Sequence, residues 1–389
     1  MQDMEAQSFA AAFDYPVYFT NNVFDTKNTS LVQAISRQDA YTRHKLVVFV
    51  DEGVWAAWPQ LETSIRAYID VHAGLELSAS IRPVPGGERC KCDDGLLQRV
   101  YQQLHDLRVD RHSIVICIGG GAVLDLVGYA AATAHRGIRL VRLPTTVLAQ
   151  NDAGIGVKNG VNRFGAKNFI GTFWVPFAVI NDFLFLRTLG PRDRRCGIAE
   201  AIKVALIRDA EFFGFMETHR EELAAFDQEP TEFMIRRCAQ LHLAQITQGG
   251  DPFETGSARP LDYGHWSAHK IESMSDYELR HGEAVAIGIM IDARYAVEAG
   301  VLEPGSELRI FNLLKGIGFD LWHRTLEQTD CASRRCVLDG LEEFREHLGG
   351  NLTVTLPSAI GAGVELHEMD ERIICESIEW LRKRWCAAP

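Results

Sequence analysis

Asp262-Tyr-Gly-His265-Trp-Ser-Ala-His269 opens a helical stretch and sets two imidazoles one turn apart; Arg280-His281-Gly-Glu283-Ala opens another helix with a further imidazole. Gly197-Ile-Ala-Glu200-Ala-Ile-Lys203 puts a carboxylate and an ammonium on one helix face at i, i+3. A carboxylate with two imidazoles, leaving positions open for substrate oxygens, suits a catalytic zinc or similar divalent ion. A histidine taken singly is more often a core or surface residue, and the sequence leaves open which pair would ligate.

A second chemistry-bearing stretch runs from Arg136 to Lys203 in glycine-rich, turn-prone sequence. It holds Arg136, Thr145, Thr146, Asn151, Asp152, Lys158, Asn162, Lys167 and Asn168, with the lysines amid Gly154, Gly156, Gly160 and Gly165. Small residues let ammonium groups and backbone amides converge on a phosphate. The chain has 40 basic against 52 acidic residues and a formal charge of −12. That balance excludes general nucleic-acid binding. It also makes a local cation cluster read as an anion site rather than a solvated loop. Upstream, the apolar run Ile114–Ile118 meets Gly119-Gly120-Gly121 and then a helical stretch, Ala122–Ala132. Glycines there either let a pyrophosphate approach the helix N-terminus or simply make a tight turn, and the spacing is not GxGxxG. Asp51, closing the run Leu46–Val50, is either a ribose grip or a solvated strand-end carboxylate.

These residues need a scaffold. At 389 residues the chain exceeds what one hydrophobic core usually holds, which predicts two domains. Apolar runs at 46–50, 78–84, 113–118, 138–143 and 178–181 alternate with helical patterns at 60–72 and 94–107, a doubly wound (Rossmann-like) α/β domain over 1–189. Helical patterns at 198–208, 210–226, 230–247, 263–274 and 282–299 predict an all-α domain over 190–389, with a small strand at 352–356. No apolar run reaches the roughly 18–20 residues that span a bilayer, and Met1–Ala12 lacks the pattern of a signal peptide. The nine cysteines show no CxxC pair, and Cys90-Lys91-Cys92 is too close for a zinc knuckle. A cytoplasmic protein with reduced thiols and no membrane partner is expected.

From about Asp51 to Pro357 the chain resembles the sugar phosphate cyclases of the dehydroquinate synthase type. The motifs are GGGAVLDLVGY, RGIRLVRLPTTVLAQNDAGIGVKNGVN, GAKNFIGTF, GIAEAIK, DYGHWSAH and HGEAVAIG. The resemblance implies that Glu200, His265 and His281 hold the metal, zinc or cobalt, with His269 near the phosphate and the transferred protons. It implies that Arg136, Lys158, Asn168 and Lys203 grip phosphate and sugar hydroxyls, Arg136 reaching across a homodimer interface. Asp152 and Lys167 would flank metal, substrate and cofactor. For NAD the implied set is Asp51, Glu88, Lys91, Gly120, Gly121, Asp125, Thr145, Thr146 and Thr188. The implied reaction eliminates phosphate from a sugar phosphate and closes a carbocycle, with transient oxidation and no net redox change.

The chain departs from true dehydroquinate synthases at several positions. Asp262 stands where an asparagine is expected, Ala258 replaces an arginine with Arg259 displaced by one, and Ala244 replaces a lysine. Phe344-Arg-Glu-His347-Leu-Gly-Gly stands in place of an Asp-Lys-Lys segment. A desolvated substrate carboxylate left unpaired costs about 1–3 kcal/mol, and Asp262 adds repulsion. A ketoheptose 7-phosphate without a carboxylate, sedoheptulose 7-phosphate foremost, is therefore the predicted substrate. The alternatives are the heptulosonate 7-phosphate of dehydroquinate synthase and a polyol, as for metal-dependent dehydrogenases of the glycerol dehydrogenase type. RPLDYGHWSAHK is closer to the cyclases of ebo gene clusters than to the valiolone-type cyclases.

Overall fold

The computed structural model describes residues 7–8, 11–164, 166–253 and 260–387, without the side chain of His347. Arg259 and Ala258 therefore lie outside the described residues. The chain divides into two compact units, Met1–Pro144 with Val157–Asp182 and Thr145–Gly156 with Phe183–Pro389. It passes between them at 144/145, 156/157 and 182/183 and not once at 189/190, so residues 145–156 belong to the helical unit. A contact between distant segments ties them there: Asn151 donates 2.8 Å to the carbonyl of Gly197, on the helix bearing Glu200.

The first unit is built on strands β1 (Val17–Thr20), β2 (His44–Asp51), β3 (Leu75–Leu77), β4 (Arg82–Val84), β5 (Ile114–Gly119), β6 (Arg139–Pro144) and β9 (Ala178–Asp182). They form one parallel sheet in the order β1, β9, β6, β5, β2, β3, with β4 also pairing β2. Leu46–Val50 and Ile114–Ile118 are buried on both faces, which is why they read as continuous apolar runs instead of alternating ones. Helices α1 (Ser30–Ser36), α2 (Glu52–Ala57), α3 (Leu61–Val71), α4 (Asp94–Asp106) and α5 (Gly121–Thr133) link the strands. The α4 stripe Leu96, Leu97, Val100 and Leu104 is buried. From β2 the chain goes outward to β3 and β4, then returns to β5 on the other side. The carboxyl ends of β2 and β5 thus flank a topological switch point, the place where open α/β sheets take ligands.

The glycine-rich stretch after residue 157, expected as loop, is an antiparallel hairpin of β7 (Lys158–Arg163) and β8 (Ala166–Phe173), with a register shift between Val161 and Arg163. Polar and glycine residues conceal its strand period.

The second unit comprises α6 (Pro191–Arg208), α7 (Ala210–Thr218), α8 (Arg220–Ala225), α9 (Gln228–Gln248), α10 (His265–Met274), α11 (His281–Glu298), α12 (Ser306–Ile317), α13 (Asp339–His347) and α14 (Glu371–Cys386). It is not wholly helical: β10 (Val354–Ala359) pairs antiparallel with β11 (Ala362–Leu366). The single helix expected over 210–226 is broken at His219. All nine cysteines are unpaired, and among the described residues no helix is long and apolar enough to cross a membrane.

Candidate active site

Helices α6, α10 and α11 set the centre of the second unit. Two glycines allow their close approach. A Cβ on Gly282 would lie 2.2 Å from the carbonyl oxygen of Cys196, so α11 starts in contact with α6, four residues before Glu200. Gly264 caps α10 at φ 77°, where a Cβ would meet the Ile289 backbone nitrogen at 2.9 Å. His265 and His281 are consequently the first residues of their helices, both facing Glu200.

Oε1 of Glu200 lies 3.4 Å from Nε2 of His281 and 3.7 Å from Nε2 of His265, and the donor atoms of the triad fall within 4.8 Å of one another. The other ring nitrogens are committed. Nδ1 of His265 is 3.1 Å from the Tyr263 carbonyl, and Nδ1 of His281 is 3.0 Å from Oε2 of Glu272. Carbonyl and carboxylate oxygens accept only, so both Nδ1 atoms carry hydrogen and both Nε2 atoms turn toward Glu200. Glu272 is 3% exposed and Glu200 fully buried. Beneath them Asp292, also fully buried, accepts from Trp266 Nε1 at 2.8 Å and from the Gly264 amide at 3.1 Å, which fixes the turn into His265. Burial pushes the Asp292 carboxyl up to about 7.

Whether this triad fits a cation can be judged from Glu200 itself. Lys203 pairs with its Oε2, yet neither carboxylate oxygen has a well-directed hydrogen bond. Acceptor capacity left unmade in a buried site is unfavourable by about 1–3 kcal/mol, and two imidazole Nε2 atoms face the same point, each a ligand once it gives up any proton it holds. A divalent ion satisfies all of them. Burial works against ionised Glu200, but Lys203 and the imidazoles hold it well below the usual carboxylate range. Burial lowers His281, but the Glu272 and Glu200 carboxylates overcome this and raise it to about 10. Burial and the Lys203 charge lower His265.

The second unit also carries other residues singled out from sequence. His269 is exposed, its ring 5.3 Å from that of His265 and 5.8 Å from that of His281. His269, Glu272 and His281 also bring donor atoms within 4.8 Å, but Glu272 there occupies Nδ1 of His281. Asp262 ends a short turn, and its charge raises Lys203 along with Glu200 and Asp152 after the opposing effect of burial. Asp152 sits in a π-turn, Ala149–Ala153, with Oδ1 2.9 Å from Nδ1 of His242. Thr145 is buried, and Thr146 Oγ1 accepts from the Ala149 amide at 3.1 Å. Thr188 is exposed and donates to the Phe185 carbonyl at 3.2 Å. His347 ends α13.

The first unit gathers a separate set. Lys91, 3% exposed, donates 2.6 Å to Asp125, pairs with Asn168 and lies 3.8 Å from Glu88. Asn162 donates 2.8 Å to Glu88 and accepts 2.8 Å from the Asn168 amide. Asp51 accepts from the Gly53 amide at 2.7 Å, capping α2, and burial raises its carboxyl. A Cβ on Gly86 would lie 2.5 Å from Asp51, and one on Gly119 would lie 3.0 Å from Val123. Gly120 caps α5 without a side-chain partner, leaving first-turn amides as donors; Gly121 follows. Such a cradle at the β2/β5 switch point fits a dinucleotide. Lys158 starts β7, Lys167 lies on β8, and exposed Arg136 has φ 61°. Sequence reasoning missed His242, Glu272 and Asp292; a carboxylate set among apolar residues of a helix is the one signal that could have pointed to the last two.

The first unit is thus a parallel nucleotide-type sheet, and the second carries a buried carboxylate and two imidazoles that fit a divalent cation. Residues 81–196 match the model for the 3-dehydroquinate synthase N-terminal domain and 197–338 that for its C-terminal domain. The chain is 32% identical over 350 residues to a 3-dehydroquinate synthase of Desulforamulus reducens, covering 89% of this chain and 91% of that protein. It is also 32% identical over 364 residues to a 2-epi-valiolone synthase of Actinosynnema mirum, covering 90% and 94%. The solved 2-epi-5-epi-valiolone synthase of Streptomyces hygroscopicus subsp. jinggangensis, with NAD⁺ and Zn²⁺ bound, superposes with TM-score 0.86 at 26% identity, covering 98% of this chain and all of that one. The chain belongs to the dehydroquinate-synthase-like family of sugar phosphate cyclases.

Proposed function

We propose that this protein is an NAD- and divalent-metal-dependent, phosphate-eliminating cyclase acting on a seven-carbon ketose phosphate without a carboxylate, sedoheptulose 7-phosphate foremost. The observation that carries the reading is the fully buried Glu200, flanked by Lys203 and facing the Nε2 atoms of His265 and His281. In this reading those three residues hold the ion, and Asp51, Glu88, Lys91, Gly120, Gly121, Asp125, Thr145, Thr146 and Thr188 hold NAD. When bound, NAD would accept and return a hydride at a substrate hydroxyl, and the ion would stabilise negative charge on neighbouring oxygens. Arg136, Lys158, Lys167 and Asn168 bind phosphate and hydroxyls. Lys203 donates to the oxygen nearest Glu200, while Asp152 and His269 hold and pass protons during elimination and ring closure. Asp262, acting on Lys203 and His265, disfavours a second carboxylate from the substrate.

The reading includes a cytoplasmic homodimer. Nine unpaired cysteines support a reducing compartment, and exposed Phe164 and Phe169 on the β7–β8 hairpin support self-association. The test supplies purified protein with NAD⁺ and zinc and compares phosphate release from sedoheptulose 7-phosphate and the heptulosonate 7-phosphate. Phosphate release without NADH accumulation is expected, fastest with the non-acid. Faster turnover of the acid refutes the substrate, and stoichiometric NADH points to a polyol dehydrogenase.

A further inference from the structure

The imidazole of His242 lies far along the chain from the metal motifs, on α9. Its Nδ1 stands 2.9 Å from Oδ1 of Asp152, close in distance although imperfect in direction. Both side chains are largely shielded, at 16% and 26% exposure. An ionised carboxylate only accepts, so the nitrogen facing it carries the hydrogen. Asp152 shares its electrostatic surroundings with Lys203 and Glu200. Lys203 already pairs with Glu200, so a carboxylate at Asp152 without its own donor would compete for that ammonium.

We infer that His242 is a positioning residue, which fixes Asp152 through Nδ1 and so leaves Lys203 with Glu200 and the reacting oxygen. This rests on the cyclase reading for its activity assay and not for its geometry. The role is exerted wholly through Asp152. Removing the imidazole therefore matters only while residue 152 is a carboxylate, a non-additivity expected of contacting residues.

The experiment uses the full chain, zinc-loaded, and measures phosphate release, zinc content and Tm for His242→Ala, Asp152→Asn and the double variant. His242→Ala is expected to lower kcat by roughly 10- to 100-fold, the range seen when an orienting partner is lost. KM should change by less than about threefold and zinc stoichiometry should be retained. The double variant should match Asp152→Asn alone. His242→Asn, whose amide donor falls where Nδ1 lies, should recover most of the activity, whereas His242→Gln, whose donor falls where Nε2 lies, should not. Should His242→Ala fail to fold, the Asn and Gln pair decides. Additive losses, activity of His242→Ala equal to wild type, or Gln outperforming Asn would overturn the inference. Absence of phosphate release from the wild type refutes the cyclase reading instead, and coupling between positions 152 and 242 in Tm then still tests the pairing.

Discussion

Glu200→Gln separates a structural ion pair from a metal centre. The substitution keeps shape but removes a charge from a pair in which Lys203 is 3% and Glu200 0% exposed. Breaking a buried pair on one side is unfavourable by about 3–5 kcal/mol, because the other charge is left uncompensated. Lys203 still feels Asp152 and Asp262, so the lower figure, about 3 kcal/mol, applies to the apo protein. For a unit of this size each kcal/mol lowers Tm by roughly 2–4 °C, giving a fall of about 6–12 °C. The companion Glu200→Gln/Lys203→Met removes both charges and should regain most of that Tm. Neither variant should retain zinc, since one of the converging donors is gone. Differential scanning fluorimetry on apo protein, with zinc quantified after dialysis, reads both quantities. Stoichiometric zinc in Glu200→Gln would refute the ligand assignment. A double variant no more stable than the single would refute the account of Lys203.

Further outcomes follow from the surrounding residues. Glu272→Gln leaves Nδ1 of His281 without its carboxylate and should weaken zinc binding about 10- to 100-fold in chelator competition; an unchanged Kd would show that Glu272 does not orient the ligand. His281 has a folded pKa raised to about 10 from 6.5. Its contribution to apo stability is fully present below pH 6.5 and is lost as pH rises through 10. Apo Tm should therefore fall across that window, and a flat profile would contradict the Glu272–His281 pairing. Asp262→Asn removes a carboxylate acting on Lys203 and His265, and should raise the acid-to-non-acid ratio of kcat/KM about tenfold, near 1.4 kcal/mol; an unchanged ratio sinks the specificity argument.

Much of the scaffold was legible because its signals are local. The buried runs Leu46–Val50 and Ile114–Ile118, the α4 stripe and the helical patterns at 230–247 and 282–299 all appear as predicted within a few residues. The β7–β8 hairpin escaped because glycine and polar residues hide a strand period. β1 escaped because four half-buried residues carry too little pattern to read. That residues 145–156 group with the helical unit is not legible in the sequence, because no short-range feature reports the Asn151–Gly197 contact.

By itself the sequence determined the chemistry at hand: imidazoles and carboxylates in helix-opening motifs, lysines among glycines, and a glycine triplet after a buried strand. Residue type and spacing settle these, since a helix places i and i+3 or i+4 on one face whatever surrounds it. Residue type and spacing left the second imidazole open; the family resemblance pointed to His281, and the tertiary structure brings His281 and His265 to Glu200. That convergence depends on how closely α6, α10 and α11 approach at Gly264 and Gly282. The same packing brought Glu272, Asp292 and His242 onto their partners, because contacts between distant segments arise from helix crossing and not from periodicity.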